Sequence, residues 1–256
     1  MVFCHATGFN AQTYARLLTP LAASLRIIVP DQRGHGFSTL AADPQGRLDW
    51  LDFRDDLIAL GRALEVEGAI LAGHSMGATV SLLAAAEAPR LARRLALFDP
   101  VVFPVQALAA AGGGDRSGLV AGAARRRSVF PSREAAVEAY VGRGAFASWP
   151  RQMIADYVAG GVVDTADGTV RLACDPVFEA ALYAFQAHDS WGAFERARMP
   201  IDIWRAERDS TFRLGEHEAE LAARPDVSIH TVAGGTHFFP MERPEVARAA
   251  LRAAAA

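Results

Sequence analysis

The sequence predicts an α/β fold, in which a mostly parallel sheet carries helices on both faces and is interrupted by one helical insertion. Short, continuous apolar runs alternate with segments whose apolar residues recur at helical spacing. Parallel strands that are covered by helices on both faces are apolar along their whole length. The alternation stops near residue 100 and resumes near residue 200, which predicts an insertion within one domain.

The predicted elements follow from these patterns in chain order. Strands are expected at residues 27–30, 69–72, 95–98, 201–204 and 227–232, and helices at 53–64, 78–88 and 244–255. Between residues 100 and 199 the sequence changes to glycine clusters, an arginine run and amphipathic helical stretches, without a convincing pair of strands. We therefore predict a core of residues 1–99 and 200–256 and a helical insertion of residues 100–199, which has the size of a small domain.

Composition excludes several classes of function. Of the 256 residues, 26 are basic and 29 acidic, and the net charge of −3 gives no reason to expect a nucleic-acid partner. The chain has no lysine, which excludes a Walker A phosphate loop and a lysine Schiff base. Cys4 and Cys174 are too few for a disulfide framework or a thiolate zinc site.

The sequence also lacks the signals of membrane insertion and export. No apolar run approaches the roughly 20 residues that a membrane span requires. The start, Met-Val-Phe-Cys-His, has neither the charged nor the apolar region of a signal peptide. We therefore expect a cytoplasmic protein without a membrane span.

The segment Gly-His-Ser-Met-Gly at residues 73–77 lies between a predicted strand and a predicted helix. A serine on such a sharp turn adopts a strained backbone, and glycines on either side leave room for the neighbouring elements. The turn also places backbone N–H groups at a helix N-terminus, which favours developing negative charge. The pattern predicts that Ser75 is a nucleophile.

A serine hydroxyl becomes an effective nucleophile when a base takes its proton. Of the seven histidines, His237 lies in Ala-Gly-Gly-Thr-His-Phe-Phe, after the last predicted strand and before the terminal helix. This position places it on a loop beyond a strand end. His237 is therefore the predicted base.

A carboxylate must orient the imidazole, and three residues are candidates for this role. Asp209 follows the predicted strand at residues 201–204 and gives the chain order serine, aspartate, histidine, so it is preferred. Asp99 follows the strand at residues 95–98, and Glu207 lies two residues before Asp209. Both stay open as alternatives.

Over nearly its whole length the sequence resembles cap-bearing members of the α/β-hydrolase fold superfamily. The resemblance rests on the serine turn at Ser75, the acidic turn at Asp209 and the Thr-His pair at residues 236–237, together with two further loops. These loops are His-Ala-Thr-Gly-Phe at residues 5–9 and Asp-Gln-Arg-Gly-His-Gly-Phe-Ser at residues 31–38. The resemblance implies that residues 2–4 form the first strand and that the insertion is the cap.

The resemblance further implies the parts of an acyl-transfer site. In this superfamily the loop after the first strand donates one oxyanion-hole N–H, which would be that of Thr7, with Gly8 as the alternative, and Met76 would donate the other. Substrate contacts are expected from Phe9, His74, Phe238 and, among the aromatic residues of the cap, Trp149. No metal and no organic cofactor is implied. A monomer or a homodimer is expected.

These features favour a serine hydrolase that cleaves a small to medium, largely apolar carboxylic ester through an acyl-enzyme. A carbon–carbon hydrolase of ring-cleavage products is an alternative, and a basic side chain placed for a substrate carboxylate would favour it. A slow-turnover ligand-binding protein on the same fold is a second alternative. The run Arg125-Arg126-Arg127 is expected to form a solvated face.

Overall fold

The computed structural model describes residues 1–47, 49–103 and 117–256. Within these ranges the strands are β1 Val2–Cys4, β2 Ala69–His74, β3 Ala92–Phe98, β4 Val129–Phe130, β5 Val162–Asp164, β6 Val170–Leu172, β7 Ile201–Ala206 and β8 Val227–Val232. The helices are α1 Ala15–Leu18, α2 Leu51–Ala63, α3 Met76–Glu87, α4 Ser117–Ala124, α5 Arg133–Tyr140, α6 Arg151–Gly161, α7 Pro176–Ala184, α8 Ser190–Arg196, α9 His217–Ala222, α10 Phe239–Glu242 and α11 Pro244–Ala255. None of the helices in these ranges is long and apolar enough to cross a membrane.

A five-stranded parallel sheet forms the core, in the spatial order β1-β2-β3-β7-β8. β2 and the second half of β3 are almost completely buried, because helices cover both faces. Helices α2 and α3 pack together on one face, and α11 packs against α1 and β3 on the other. The predicted α/β class with a parallel sheet is confirmed.

The strand predicted at residues 27–30 contributes only a single parallel bridge beside β1. Ile28 pairs with Val2, and its carbonyl accepts a hydrogen bond of 2.9 Å from the amide of Phe3. Pro30 cannot extend this ladder because it has no N–H group. The sheet edge therefore ends after one pair of residues.

The insertion contains helices α4 to α8, and it also contains a small sheet that the sequence did not predict. β4, β6 and β5 form this three-stranded antiparallel sheet. Each of these strands has only 2 or 3 residues, which is too short to reveal a period of two in the sequence. The insertion, in which no convincing pair of strands was predicted, therefore contains strands besides its helices. Residues 104–116 of the insertion lie outside the described ranges.

Candidate active site

Ser75 lies on the turn between β2 and α3, with φ 56° and ψ −123°. This is a sparsely populated backbone region for a residue with a side chain, and such strain persists only where the surroundings hold it. A Cβ atom on Gly73 would overlap the backbone of Gly77, and one on Gly77 would overlap the carbonyl group of Cys4. Both glycines are needed because backbone passes directly against them.

Ser75, His237 and Asp99 form one hydrogen-bonded line at the carboxyl end of the sheet. The Oγ atom of Ser75 lies 3.0 Å from Nε2 of His237, and Nδ1 of His237 lies 2.6 Å from Oδ2 of Asp99. The carboxylate can only accept, so Nδ1 carries the proton and Nε2 is free to accept the proton of the serine. The predicted pair of Ser75 and His237 is brought together.

The carboxylate beside His237 is Asp99, and the prediction of Asp209 was wrong. Asp209 is exposed on the turn after β7, and within the described ranges it forms no hydrogen bond or ion pair with His237. Asp99 follows β3, which lies directly beside the serine-bearing β2 in the sheet. Glu207 does not take this place either, because its carboxylate accepts a hydrogen bond of 2.6 Å from the amide of Gly234.

The turn after β7 serves to hold the Asp99 carboxylate. Oδ1 of Asp99 accepts hydrogen bonds from the amide of Ala206 at 2.8 Å and the hydroxyl of Ser210 at 2.6 Å. Oδ2 accepts from the amide of Thr211 at 2.9 Å, besides its bond to His237. Burial by itself raises the pKa of Asp99, but the hydrogen bond and charge of His237, with Ser210 and Thr211, outweigh it and lower the pKa to about 2.

Two backbone amides beside Ser75 are candidates to bind an oxyanion. Within the described ranges the amides of Thr7 and Met76 donate no hydrogen bond to the protein. The amide of Gly8 is not available, since it donates to Nε2 of His35 at 3.0 Å. Met76 is the first residue of α3, where the helix dipole favours negative charge. The arrangement favours Thr7 over Gly8 as the partner of Met76.

Buried side chains hold the peptide groups around Thr7 in residues 5–9, which we call the oxyanion loop. The amide of Ala6 donates to the Tyr14 hydroxyl at 3.1 Å. Nδ1 of His5 donates to the carbonyl oxygen of Ala6 at 2.8 Å, and this carbonyl belongs to the same peptide group as the Thr7 N–H. Because that peptide group is held from its carbonyl side, the direction of the Thr7 N–H is defined before any substrate binds.

A cavity of about 1020 Å³ opens above Ser75 and is lined by both the core and the insertion. Phe9 and Phe238 lie in its wall, and their contact with substrate stays a prediction. Trp149 does not line it, because it is buried behind Phe9 and Phe238, with ring centroids 5.1 and 5.9 Å away. His74 does not line it either: it is completely buried beneath the site. The expected substrate contacts of Trp149 and His74 were therefore wrong.

Arginines supply the positive charge of the cavity wall. Arg126 turns inward and forms an ion pair of 2.6 Å with the buried carboxylate of Glu179, so it does not belong to a solvated face as predicted. Arg143 and Arg213 also line the cavity. In the described parts of the chain neither of them forms an ion pair with a carboxylate. Neither residue was predicted from the sequence.

Among the described residues no group of three or more His, Cys, Asp or Glu side chains could hold a metal ion. The polar groups at the serine are instead those that nucleophilic acyl transfer requires: a hydroxyl, a base, a buried carboxylate and two free amides. The site can add its serine to a carbonyl carbon and stabilise the resulting oxyanion.

Comparison with known proteins identifies the family to which this chain belongs. A model of the alpha/beta hydrolase family matches residues 1–250. The chain is 29% identical to 2-(acetamidomethylene)succinate hydrolase from Mesorhizobium japonicum over 251 residues, which cover 96% of this chain and 84% of the relative.

A solved structure and a second relative extend the comparison. The crystal structure of E-2-(acetamidomethylene)succinate hydrolase has 27% identity and a TM-score of 0.81, covering 100% of this chain and 90% of that chain. A 2-hydroxymuconate semialdehyde hydrolase from Pseudomonas sp. (strain CF600) is 37% identical over 111 residues, which are 41% of this chain and 38% of the relative. The chain belongs to the alpha/beta hydrolase family and is a hydrolase.

Proposed function

We propose that this hydrolase uses Ser75 as its nucleophile and cleaves a carbonyl compound that carries at least one carboxylate. The observation that carries the proposal is the pair Arg143 and Arg213 in the wall of the cavity above Ser75. A guanidinium without an ion-pair partner beside a largely apolar cavity is a site for an anionic group. A simple apolar ester would leave both charges unused.

The proposed reaction begins when Ser75 Oγ attacks the substrate carbonyl and its proton passes to Nε2 of His237. Asp99 stabilises the imidazolium that forms, and the amides of Thr7 and Met76 stabilise the oxyanion. Collapse of this intermediate expels the leaving group, which takes the proton from His237. Water, activated by the same imidazole, then releases the acid and restores the serine.

The proposal favours the carbon–carbon hydrolase, or an amide hydrolase of an acidic substrate, over the ester hydrolase. Carbon is a poor leaving group unless a conjugated carbonyl group takes up the electron pair of the broken bond, so the first would act on a conjugated oxo compound, whereas in an acetamide the nitrogen leaves and a carbon–nitrogen bond breaks. The relatives named above act, by their names, on succinate and muconate derivatives, and both skeletons are carboxylates. The charged wall fits such a substrate better than it fits a neutral ester.

Turnover of three probes tests the proposal. The purified protein is assayed with 2-hydroxymuconate semialdehyde, 2-(acetamidomethylene)succinate and p-nitrophenyl butyrate. We expect one of the two acids to be the best substrate by kcat/KM, and we expect Ser75→Ala to lose that turnover. Preference for the neutral ester over both acids would restore the ester hydrolase reading and contradict the proposal.

Replacement of the arginines tests the observation itself. A charge-assisted hydrogen bond contributes about 1.5–3 kcal/mol, so Arg143→Ala and Arg213→Ala should each lower kcat/KM for the acidic substrate by roughly 10- to 100-fold. Hydrolysis of p-nitrophenyl butyrate serves as the internal control and should change by less than about 3-fold. Equal losses with the acid and with the ester would show that the arginines act on the fold and not on the carboxylate.

A further inference from the structure

A buried chain of hydrogen bonds joins the oxyanion loop to the residue that carries the base. The amide of Ala6 donates to Oη of Tyr14 at 3.1 Å, Oη lies 2.8 Å from Nδ1 of His74, and Nε2 of His74 lies 2.8 Å from the carbonyl oxygen of His237. Tyr14 and His74 are both fully buried. The two segments joined in this way are 231 positions apart, from Ala6 to His237.

The donor at one end, the Ala6 N–H, and the acceptor at the other, the His237 carbonyl, fix every proton between them. A carbonyl oxygen can only accept, so Nε2 of His74 must carry a proton and donate it to His237. In the neutral imidazole Nδ1 is then an acceptor, and it receives the hydroxyl proton of Tyr14. The Tyr14 oxygen in turn accepts from the Ala6 amide. Each group uses its donor once, and all donors point from the oxyanion loop toward His237.

Among the described residues, the hydrogen bonds of the His74 nitrogens and the Tyr14 hydroxyl join only the segments that carry the proposed reacting groups. Ala6 precedes Thr7, whose amide faces the oxyanion, and His237 supplies the base from its own ring. The rings of His74 and His237 also lie close together, with centroids 4.9 Å apart. Packing alone would be satisfied by phenylalanine at position 14, because the phenol ring already packs on Phe3 at 4.8 Å.

We infer that Tyr14 and His74 are positioning residues, which hold the Thr7 amide and the His237 imidazole in one mutual geometry. The inference rests on the proposed function of Ser75 and His237. It assigns His74 a role beneath the site in place of a substrate contact. Because a misplacement of about 1 Å can cost roughly 100-fold in rate, loss of the chain should lower the rate of the chemical step and leave substrate binding nearly unchanged.

The first variant is Tyr14→Phe, which removes one oxygen atom and keeps the ring. The probe is an ethoxy fluorophosphonate, which phosphonylates an activated serine and places its oxygen in the oxyanion hole. We expect the maximal inactivation rate to fall by about 10-fold or more, since the oxyanion loop loses its link to the segment of His237 and keeps only the hydrogen bond from His5. The concentration for half-maximal rate should change by less than about 2-fold.

Thr13→Val is the matched control. Thr13 is the neighbouring residue, is fully buried, and its hydroxyl has no hydrogen-bond partner in the described parts of the chain. The Thr13→Val variant therefore loses a buried hydroxyl but keeps the hydrogen bonds from Ala6 through Tyr14 and His74 to His237. We expect the inactivation rate of Thr13→Val to equal that of the wild type within about 2-fold, and melting temperatures should show that both variants are folded.

A second variant separates positioning from a general loss of packing. In His74→Gln the side-chain amide can still donate to the His237 carbonyl, but it cannot accept from Tyr14 at the place of Nδ1. If the hydrogen-bonded groups act as a unit, His74→Gln already removes their effect. The double variant Tyr14→Phe, His74→Gln should then be inactivated less than about 2-fold more slowly than His74→Gln alone. Independent, multiplicative losses in the double variant would overturn the inference.

The outcomes separate this inference from the function on which it rests. No labelling of the wild type at Ser75 would refute the nucleophile itself. Labelling of Tyr14→Phe at the wild-type rate would refute only the positioning role. A fall of about 10-fold or more in Tyr14→Phe, with Thr13→Val unchanged and a non-additive double variant, supports it.

Discussion

Replacement of Asp99 by asparagine perturbs the carboxylate that holds the His237 imidazole. In the native carboxylate both oxygens are acceptors: Oδ1 faces the Ala206 amide and Oδ2 faces the Thr211 amide and His237. In Asp99→Asn one oxygen becomes an NH₂ group. Whichever way the amide is turned, a donor then faces a buried backbone N–H.

The expected magnitude follows from these contacts. A buried donor without an acceptor costs about 1–3 kcal/mol, so the free energy of unfolding should fall by that amount. If the NH₂ group faces His237, it donates to Nδ1 and moves the imidazole proton to Nε2, where it blocks proton transfer from Ser75. The corresponding change in a serine protease triad lowers kcat by about 10⁴-fold, and a loss of 10³- to 10⁴-fold is expected here.

Asp209→Asn is the matched control, because Asp209 is exposed and was the carboxylate that the sequence favoured. Its unfolding free energy should change by about 0.5 kcal/mol or less, and its kcat by less than about 2-fold. Steady-state turnover of the best substrate and urea unfolding of both variants provide the measurements. A loss of activity in Asp209→Asn with retention in Asp99→Asn would refute the assignment.

Two further predictions concern the fold around the site. Gly77→Ala should cost several kcal/mol of unfolding free energy and most of the activity, because its Cβ overlaps the Cys4 carbonyl; urea unfolding at near wild-type stability would contradict this. Burial is the main cause that lowers the pKa of His5 to about 4, and of His35 and His74 to about 3 each. Their folded-state pKa values lie below the unfolded value of 6.5, so their neutral forms stabilise the protein fully above that pH. As the pH falls below 6.5, each of these histidines should come to cost up to about 1.4 kcal/mol of stability per pH unit, so stability should fall steadily toward pH 4. Urea unfolding at pH 7.5, 6 and 5 measures this drop, and constant stability over the series would contradict it.

The nucleophile and its turn were accessible from sequence because their signals are local. Gly73 and Gly77 flank Ser75 within five residues, between a buried strand and a helix, and the structure shows why each glycine is required. His237 could be placed because it follows the last strand. Each of these signals depends on neighbours in the chain.

The carboxylate could not be chosen in this way, because its selection depends on contacts between distant segments. Acidic residues follow both β3 and β7, and both strand ends lie near the serine. The choice is made by Ala206, Ser210 and Thr211, which turn their donors toward Asp99 from more than 100 residues away. No pattern in the neighbouring sequence indicates which carboxylate these donors will face.

His74 and Arg126 were misjudged for a related reason. His74 adjoins the nucleophile, which indicates a substrate contact, but Tyr14 binds it from 60 positions away and keeps it buried. Arg126 lies in a run of three arginines, which is typical of a solvated face. Its side chain is turned inward because it forms an ion pair with Glu179 in the first turn of α7. The partner that decides each orientation is distant in sequence.

The central claim is that the site selects a carboxylate-bearing substrate for attack by Ser75. The most direct measurement compares kcat/KM for 2-(acetamidomethylene)succinate and for its dimethyl ester, which keeps the acetamide and masks both charges. With two charge-assisted contacts of about 1.5–3 kcal/mol each, we predict a preference of about 100-fold or more for the diacid, lost in the double variant Arg143→Ala, Arg213→Ala. Equal turnover of the acetamide in both compounds, or a preference for the dimethyl ester, would contradict the claim.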